Sequence, residues 1–124
     1  MDMNRDENSL REVLAILDRL DSGWLPGNSE LDGARCIENW TILSSKNGAP
    51  FKLIGPSRTP LLSHCLFISN VFAMNADAHW ARTLDEWLVI GDPADGARAY
   101  DARDLQRTGI AWLLSQLECS SAHA

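Results

Sequence analysis

The stretch that decides the fold is residues 64–91, which read HCLFISNVFAMNADAHWARTLDEWLVIG. Its first half is an almost continuous apolar run, which is typical of a strand that is covered on both faces. After a polar corner, apolar residues recur at helical spacing from Trp80 onward. The sequence therefore predicts a buried strand over 64–74 and a helix over 79–89 that packs back on it.

Two more helices are indicated on either side of this stretch. Ser9 and Glu12 form a Ser-x-x-Glu capping box before a run of leucines at helical spacing, which predicts a helix over 10–21. A wide apolar face predicts a last helix over 102–118. Glycine weakens a helix by about 1 kcal/mol relative to alanine, so Gly109 in its middle predicts close packing against a neighbour.

The remaining strands lie between the first helix and the central stretch. Residues 36–44 and 51–54 are rich in β-favouring side chains, and Asn47-Gly48 between them is a strong hairpin signal. A β-hairpin is therefore predicted over about 39–54.

The predicted fold is α+β and forms a single domain, 1–124, with frayed tails at 1–8 and 119–124. A small antiparallel sheet of about three strands packs against three helices. The predicted strands are 36–44, 51–54 and 64–74, and the predicted helices are 10–21, 79–89 and 102–118.

Composition excludes several classes of protein. The net charge of −6 disfavours direct binding of nucleic acid, which requires a basic face to displace counterions. A stretch of about 18 apolar residues, long enough to span a membrane, is absent from the sequence. Residues 1–8 lack an apolar run behind a basic start, so a signal peptide is not expected and the predicted compartment is cytoplasmic. Three scattered cysteines predict reduced thiols.

The sequence predicts no catalytic residue, no metal site and no cofactor. The nearest approach to a ligand set is His64, Cys65 and His79, but adjacent strand residues point to opposite faces. The Gly-x-Ser-x-Gly signature of a serine nucleophile is absent.

The amino-terminal half is the more acidic part of the chain. Among the first 50 residues, nine acidic side chains meet five basic ones. Glu30 and Asp32 lie in a loop rich in turn formers, which Trp24 and Leu25 are expected to pin to the core. An acidic surface keeps a small protein soluble, and it also steers the protein toward a basic partner.

The polar corner has a structural and a functional interpretation. In the structural one, Asp77 caps the helix, and an arginine that reaches Asp77 or a neighbouring carbonyl locks the junction between strand and helix. In the functional one, His79, Trp80 and Arg82 form a recognition surface, because tryptophan and arginine are the residues that most often anchor interfaces.

The motif Trp80-Ala81-Arg82-Thr83, followed by Trp87 and Ile90-Gly91, resembles the signature of a family of small bacterial proteins with a domain of unknown function. Members are encoded in chromosomes and in mobile elements. The resemblance covers residues 66–91 and implies a shared fold. Glu86 and Leu88 stand where the family motif has arginine and tyrosine, so an activity carried by those two residues would be missing here.

Three functional hypotheses follow. The first is a non-enzymatic protein-binding or inhibitor module with an acidic surface, similar to anti-CRISPR proteins, which binds a protein partner with a basic surface through Glu30, Asp32, His79, Trp80 and Arg82. The second is a small enzyme or ligand-binding domain with its pocket at the 75–82 corner. The third is a homodimer formed through the spare apolar face of the last helix, so the predicted state is monomer or homodimer.

Overall fold

The computed structural model describes residues 3–44, 47–58 and 66–122. The described residues form two long helices, one four-residue helix and six strands, joined by short connections. In chain order the elements are α1 (Met3–Asp21), α2 (Asn28–Leu31), β1 (Arg35–Ile37), β2 (Thr41–Leu43), β3 (Phe51–Arg58), β4 (Leu66–Asn75), β5 (Trp80–Thr83), β6 (Trp87–Ile90) and α3 (Ala102–Ala122).

Five of the strands close into a barrel. Strands β3, β4, β5 and β6 form an antiparallel meander, each paired with the next. Strand β1 completes the ring because it pairs on both sides, parallel to β6 with Ile37 opposite Ile90, and antiparallel to β3 with Ile37 opposite Ser57. Strand β2 is an extra strand that pairs with β3 further along the same edge, opposite the edge that β4 occupies.

The predicted architecture, three strands packed against three helices, is therefore wrong. The predicted helix 79–89 is the β5–β6 hairpin. The predicted strand 36–44 is two strands, β1 and β2, because the chain bends between them at Asn39, whose φ of 49° is left-handed. Both pair with the edge of β3 that β4 leaves free, β2 with residues 52–54 and β1 with residues 57–58, and the bend lets β1 turn away to reach β6 as well.

The apolar residues of the β5–β6 hairpin recur in the sequence at a spacing like that of a helix, because the residues of the turn separate the two strands. The Thr83 hydroxyl accepts hydrogen bonds from the backbone N–H groups of Asp85 and Glu86, at 3.3 and 3.2 Å, and Thr83 N–H donates to the Glu86 carbonyl at 3.0 Å. This turn places Trp87 directly opposite Arg82. The separation of Trp87 from Trp80 in sequence thus reflects two strands and a turn, not two turns of helix.

Other local predictions are confirmed. Helices α1 and α3 cover the predicted 10–21 and 102–118 and extend beyond them. Because α1 begins at Met3, Ser9 and Glu12 lie inside it, and the predicted capping box at its start is wrong. Strands β2 and β3 form the predicted hairpin, and Asn47 and Gly48 both take positive φ values, 65° and 77°. The predicted strand 64–74 is present as β4, although its first two residues, 64 and 65, lie outside the described part of the chain.

Two apolar clusters hold the molecule together, one inside the barrel and one between the barrel and the helices. Alternate strand residues fill the interior, and the helices cover the outer face of β4 and β5. Within the described helices, none is both long and apolar enough to cross a membrane. The interior residues include Ile37, Trp40, Ile42, Leu53, Val71, Leu88, Ile90 and Leu105, and the outer cluster includes Leu10, Val13, Leu17, Phe72, Ala73, Trp80 and Leu113.

Gly109 is a point of close approach between α3 and the barrel, as the sequence predicted. A Cβ atom at this position would lie 2.8 Å from Cδ1 of Phe72, whose side chain is fully buried. The glycine lets the helix backbone lie directly on the phenylalanine ring.

We expect Gly109→Val to lower the free energy of unfolding by about 1–3 kcal/mol, because the added methyl groups force α3 away from Phe72. Urea unfolding measures the change. The matched control is Ala111→Val, two residues further along the same helix at an exposed position, where helix propensity alone costs less than about 1 kcal/mol. Equal effects of the two substitutions would contradict the close contact.

Candidate functional site

Three tryptophans and two arginines from four parts of the chain form one stack, here called the Trp–Arg cluster (Arg19, Trp24, Trp80, Arg82 and Trp87). The Arg19 guanidinium lies 4.0 Å from the centre of the Trp24 ring, and the Trp24 and Trp87 rings are 5.9 Å apart. Arg82 lies 5.3 Å from the centre of the Trp87 ring, and Trp80 meets Trp87 edge-to-face at 5.7 Å. Cation–π and aromatic contacts of this kind add about 0.5–1.5 kcal/mol each.

The end of α1 places Trp24 in this stack. Gly23 has a φ of 99°, its N–H donates to the Leu20 carbonyl at 3.1 Å, and Trp24 N–H donates to the Arg19 carbonyl at 3.0 Å. These two bonds are the Schellman arrangement that ends many helices. The reversal folds Trp24 back beneath Arg19, on the last turn of α1.

Arg82 stabilises the β5–β6 turn through hydrogen bonds that its side chain donates to backbone carbonyls. Its side chain is buried, with 5% exposure, and its Nε donates to the Thr83 carbonyl at 3.0 Å while Nη2 donates to the Leu84 carbonyl at 3.4 Å. Burial lowers the pKa of Arg82, and the opposing influence of nearby carboxylates, chiefly Glu12, is smaller. The structural interpretation of the corner allowed Arg82 to reach Asp77 or a neighbouring carbonyl; the carbonyls that it reaches belong to a hairpin turn, not to the predicted junction of strand and helix.

The structure distributes the sequence-predicted partner-binding residues between interior and surface. Trp80 and Arg82 lie in the Trp–Arg cluster at 6% and 5% exposure, so they offer little area to a partner. His79 is exposed on the β4–β5 turn with a φ of 64°, and its Nδ1 lies 3.0 Å from the Ile90 carbonyl. Asp32 is exposed where α2 ends, and Glu30 is half-buried within α2.

Glu30 begins α2 through its own side chain. Its Oε1 accepts a hydrogen bond from Gly27 N–H at 2.7 Å, and its other oxygen accepts one from the Ser29 hydroxyl. These two bonds, the serine first, lower the pKa of Glu30, and the positive charge of Arg19 adds to the effect. Glu30 therefore keeps its negative charge and joins α2 electrostatically to the end of α1.

Leu25 is the surface residue that sequence reasoning misplaced. The prediction that Trp24 and Leu25 both pin the loop holds for half-buried Trp24, but Leu25 is 64% exposed. A signal was available, since a leucine immediately after a buried tryptophan in an extended segment points to the opposite side of the chain.

The described residues supply little that resembles a chemical centre. They contain no group of three or more histidines, cysteines or acidic residues placed to hold a metal ion, and the candidate ligands His64 and Cys65 lie outside them. Two surface cavities, of about 430 and 460 Å³, are lined mainly by residues of α3, and neither includes a residue of the 75–82 corner.

Comparison with protein-family models, with curated proteins and with solved structures finds no match to this chain. The resemblance of residues 66–91 to the small bacterial family therefore stays a prediction. Function has to be inferred from the geometry of the molecule itself.

We expect Arg82→Ala to lower the free energy of unfolding by about 1–3 kcal/mol, because the Thr83 and Leu84 carbonyls lose their donor. Arg82→Lys should not restore it, since a lysine cannot place two donors in a fixed fork. Chemical unfolding measures both. Arg107→Ala, on the exposed side of α3, is the control and should be close to neutral; a neutral Arg82→Ala would show that the turn does not need the guanidinium.

The hydrogen bonds to Glu30 predict how this part of the molecule responds to acid. Because the pKa of Glu30 is lowered on folding, its contribution to stability is present above the ordinary glutamate pKa and is lost as the pH falls through the lowered value. Carbon-detected NMR titration should find a midpoint below the ordinary one. Ser29→Ala should move it upward, because the hydrogen bond from the Ser29 hydroxyl lowers the pKa of Glu30 more than any other contact does; an unchanged midpoint would contradict this assignment.

Proposed function

We propose that this protein is a non-enzymatic protein-binding module that docks onto a basic surface of its partner. The docking region is the α1–α2 surface, defined as Arg19, Trp24, Leu25, Glu30 and Asp32. The observation that carries the proposal is Leu25, a large apolar side chain that is 64% exposed on an ordered loop between two charged elements. Apolar anchors with a polar rim are the usual composition of a docking site.

The loop that presents Leu25 is fixed at both ends before any partner binds. Upstream, Trp24 is held between Arg19 and Trp87 by the ring contacts of the Trp–Arg cluster. Downstream, Gly27 is tied to Glu30 at 2.7 Å. A segment that is already ordered loses little conformational entropy on association, so most of the contact energy appears as affinity.

Charge determines the kind of partner. The chain carries a net charge of −6, and the carboxylates of exposed Asp32 and of Glu30, whose pKa is lowered by its hydrogen bonds, flank the apolar anchor. A partner with a basic surface is attracted over several ångströms and is oriented before contact. The narrower proposal is an inhibitor that covers a basic groove of a nucleic-acid-handling protein, in the manner of anti-CRISPR proteins.

The test compares wild type with Leu25→Ser and Asp32→Lys in association kinetics with the partner captured from the host. We expect Leu25→Ser to speed dissociation about tenfold, equivalent to about 1.4 kcal/mol, and Asp32→Lys to slow association with little change in dissociation. Glu30 is left intact because it caps α2. Leu114→Ser and Asp95→Lys, both exposed and outside the α1–α2 surface, are the matched controls and should bind as wild type does.

Ionic strength supplies the second arm of the test. Between 50 and 500 mM salt the screening length falls from about 14 to about 4 Å, so the association rate of wild type should fall steeply. A rate that ignores salt, control variants as defective as the test variants, or micromolar binding of the protein to DNA or RNA would overturn the proposal.

A further inference from the structure

The outer surface of the barrel is covered by helices on one side and bare on another. On the bare side, outward-facing residues of three adjacent strands form what is here called the β2–β4 face. The residues that alternate with them along the same strands, such as Ile42 and Leu53, point into the barrel and are buried. The outward-facing residues are Thr41 and Leu43 on β2, Lys52, Ile54 and Pro56 on β3, and Leu66, Ile68 and Asn70 on β4.

Apolar side chains lie next to each other across this face. Ile68 is directly opposite Ile54, and Leu66 is directly opposite Pro56. Leu66 is 63% exposed and Ile68 is 54% exposed, and Leu43 on the neighbouring strand is 36% exposed. Three of the five exposed large hydrophobic residues of the described chain therefore fall on one face, which is the pattern of an interaction surface and not of scattered exposure.

The same strand shows what a covered face looks like. Further along β4, the outward-facing Phe72 is fully buried beneath α3, where Gly109 allows the helix to approach. The sequence prediction that this strand is covered on both faces thus holds for its second half. In its first half, Leu66 and Ile68 continue the apolar pattern with nothing packed over them in the described structure.

Charge distinguishes this face from the rest of the surface. Among its eight residues the single charged side chain is Lys52, whose Nζ donates to Oδ1 of Asn70 at 3.3 Å, and none carries a carboxylate. Elsewhere the chain is acidic, with 17 carboxylates against 11 basic residues. Two copies that met through any acidic region would repel each other, whereas contact through the β2–β4 face keeps their carboxylates apart.

We propose that the β2–β4 face is the site at which a second copy of this chain docks to form a two-fold symmetric dimer. Two-fold dimers pair one surface with itself, and an apolar face without carboxylates is suited to this. Three strands spaced by about 4.8 Å, each contributing up to five residues at about 3.4 Å per residue, give a face roughly 10 Å by 17 Å. That area is below the range of stable specific interfaces, so the dimer is weak and transient, with a dissociation constant of about 100 µM.

The dimer uses no residue of the α1–α2 surface. A pair of chains would therefore present two copies of that surface at once. The inference stands independently of the proposed function, because it concerns different residues and has the opposite dependence on salt. Salt screens the repulsion between two chains of charge −6 and should strengthen self-association, whereas it should weaken binding to a basic partner.

Sedimentation equilibrium of the full chain, from about 5 to about 500 µM, tests the proposal around the expected dissociation constant. We expect the mass of wild type to rise from the 13.7 kDa of one chain toward twice that value. Ile68→Glu should stay at the mass of one chain throughout, because it places a carboxylate in the centre of each docking face. Leu114→Glu, at a position of α3 that is 52% exposed, is the matched control and should dimerise as wild type does.

Each result decides the question. Thermal melting should show that Ile68→Glu remains folded, and Ile68→Ser, an uncharged variant, should raise the dissociation constant by at least about fivefold, or about 1 kcal/mol. A wild type that stays at one chain's mass at the highest concentration overturns the proposal. So does a dimer that is abolished by Leu114→Glu and unaffected by Ile68→Glu, since the apolar face of α3 would then be the interface.

Discussion

The structure depends on a strand of three residues that pairs on both of its edges. Strand β1 is hydrogen-bonded to β6 on one side and to β3 on the other, and without it the remaining strands would form an open sheet. Ile37 of this strand is fully buried. The neighbouring Gly55 has to be a glycine, because a Cβ atom there would lie 2.8 Å from Cγ2 of Ile37. The barrel can therefore close because the Gly55 backbone leaves room for the Ile37 side chain where β1 meets β3.

Closure of the barrel also explains why the charged side chain of Arg82 is buried between the barrel and the helices. The interior is filled by alternate residues such as Ala81, so the other residues of β5, Trp80 and Arg82, face outward into the layer under the helices. A buried guanidinium needs acceptors, and the nearest are the carbonyls of the turn that it then stabilises. The Trp–Arg cluster is a consequence of this geometry, and it fixes the loop on which Leu25 is displayed.

The sequence predicted the elements whose signals are local and missed those that depend on distant pairing. Helices α1 and α3 have periodic apolar faces, the Asp101 carboxylate caps α3, and Asn47-Gly48 specifies its own turn, so all three were predictable. The expected capping box of Ser9 and Glu12 instead lies inside α1. The β5–β6 hairpin was not, because Trp80 and Arg82 on one side and Ala81 and Thr83 on the other are all buried, which removes the alternation that identifies a strand. The bare β2–β4 face depends on which surfaces the helices cover, and composition carries no record of that.

The Trp–Arg cluster has an optical consequence. Trp24, Trp80 and Trp87 belong to a loop, to β5 and to β6. The centre of the Trp87 ring nevertheless lies 5.9 Å from that of Trp24 and 5.7 Å from that of Trp80. Indole transitions at such separations couple, so the near-ultraviolet circular dichroism of the chain should be dominated by an exciton signal from these rings. Because Trp24 follows directly from α1, its share of the signal would be lost when that helix leaves the barrel, whereas the share from Trp80 and Trp87 would persist as long as β5 and β6 remained paired. The molecule therefore carries an intrinsic reporter that separates undocking of its helices from unfolding of its barrel.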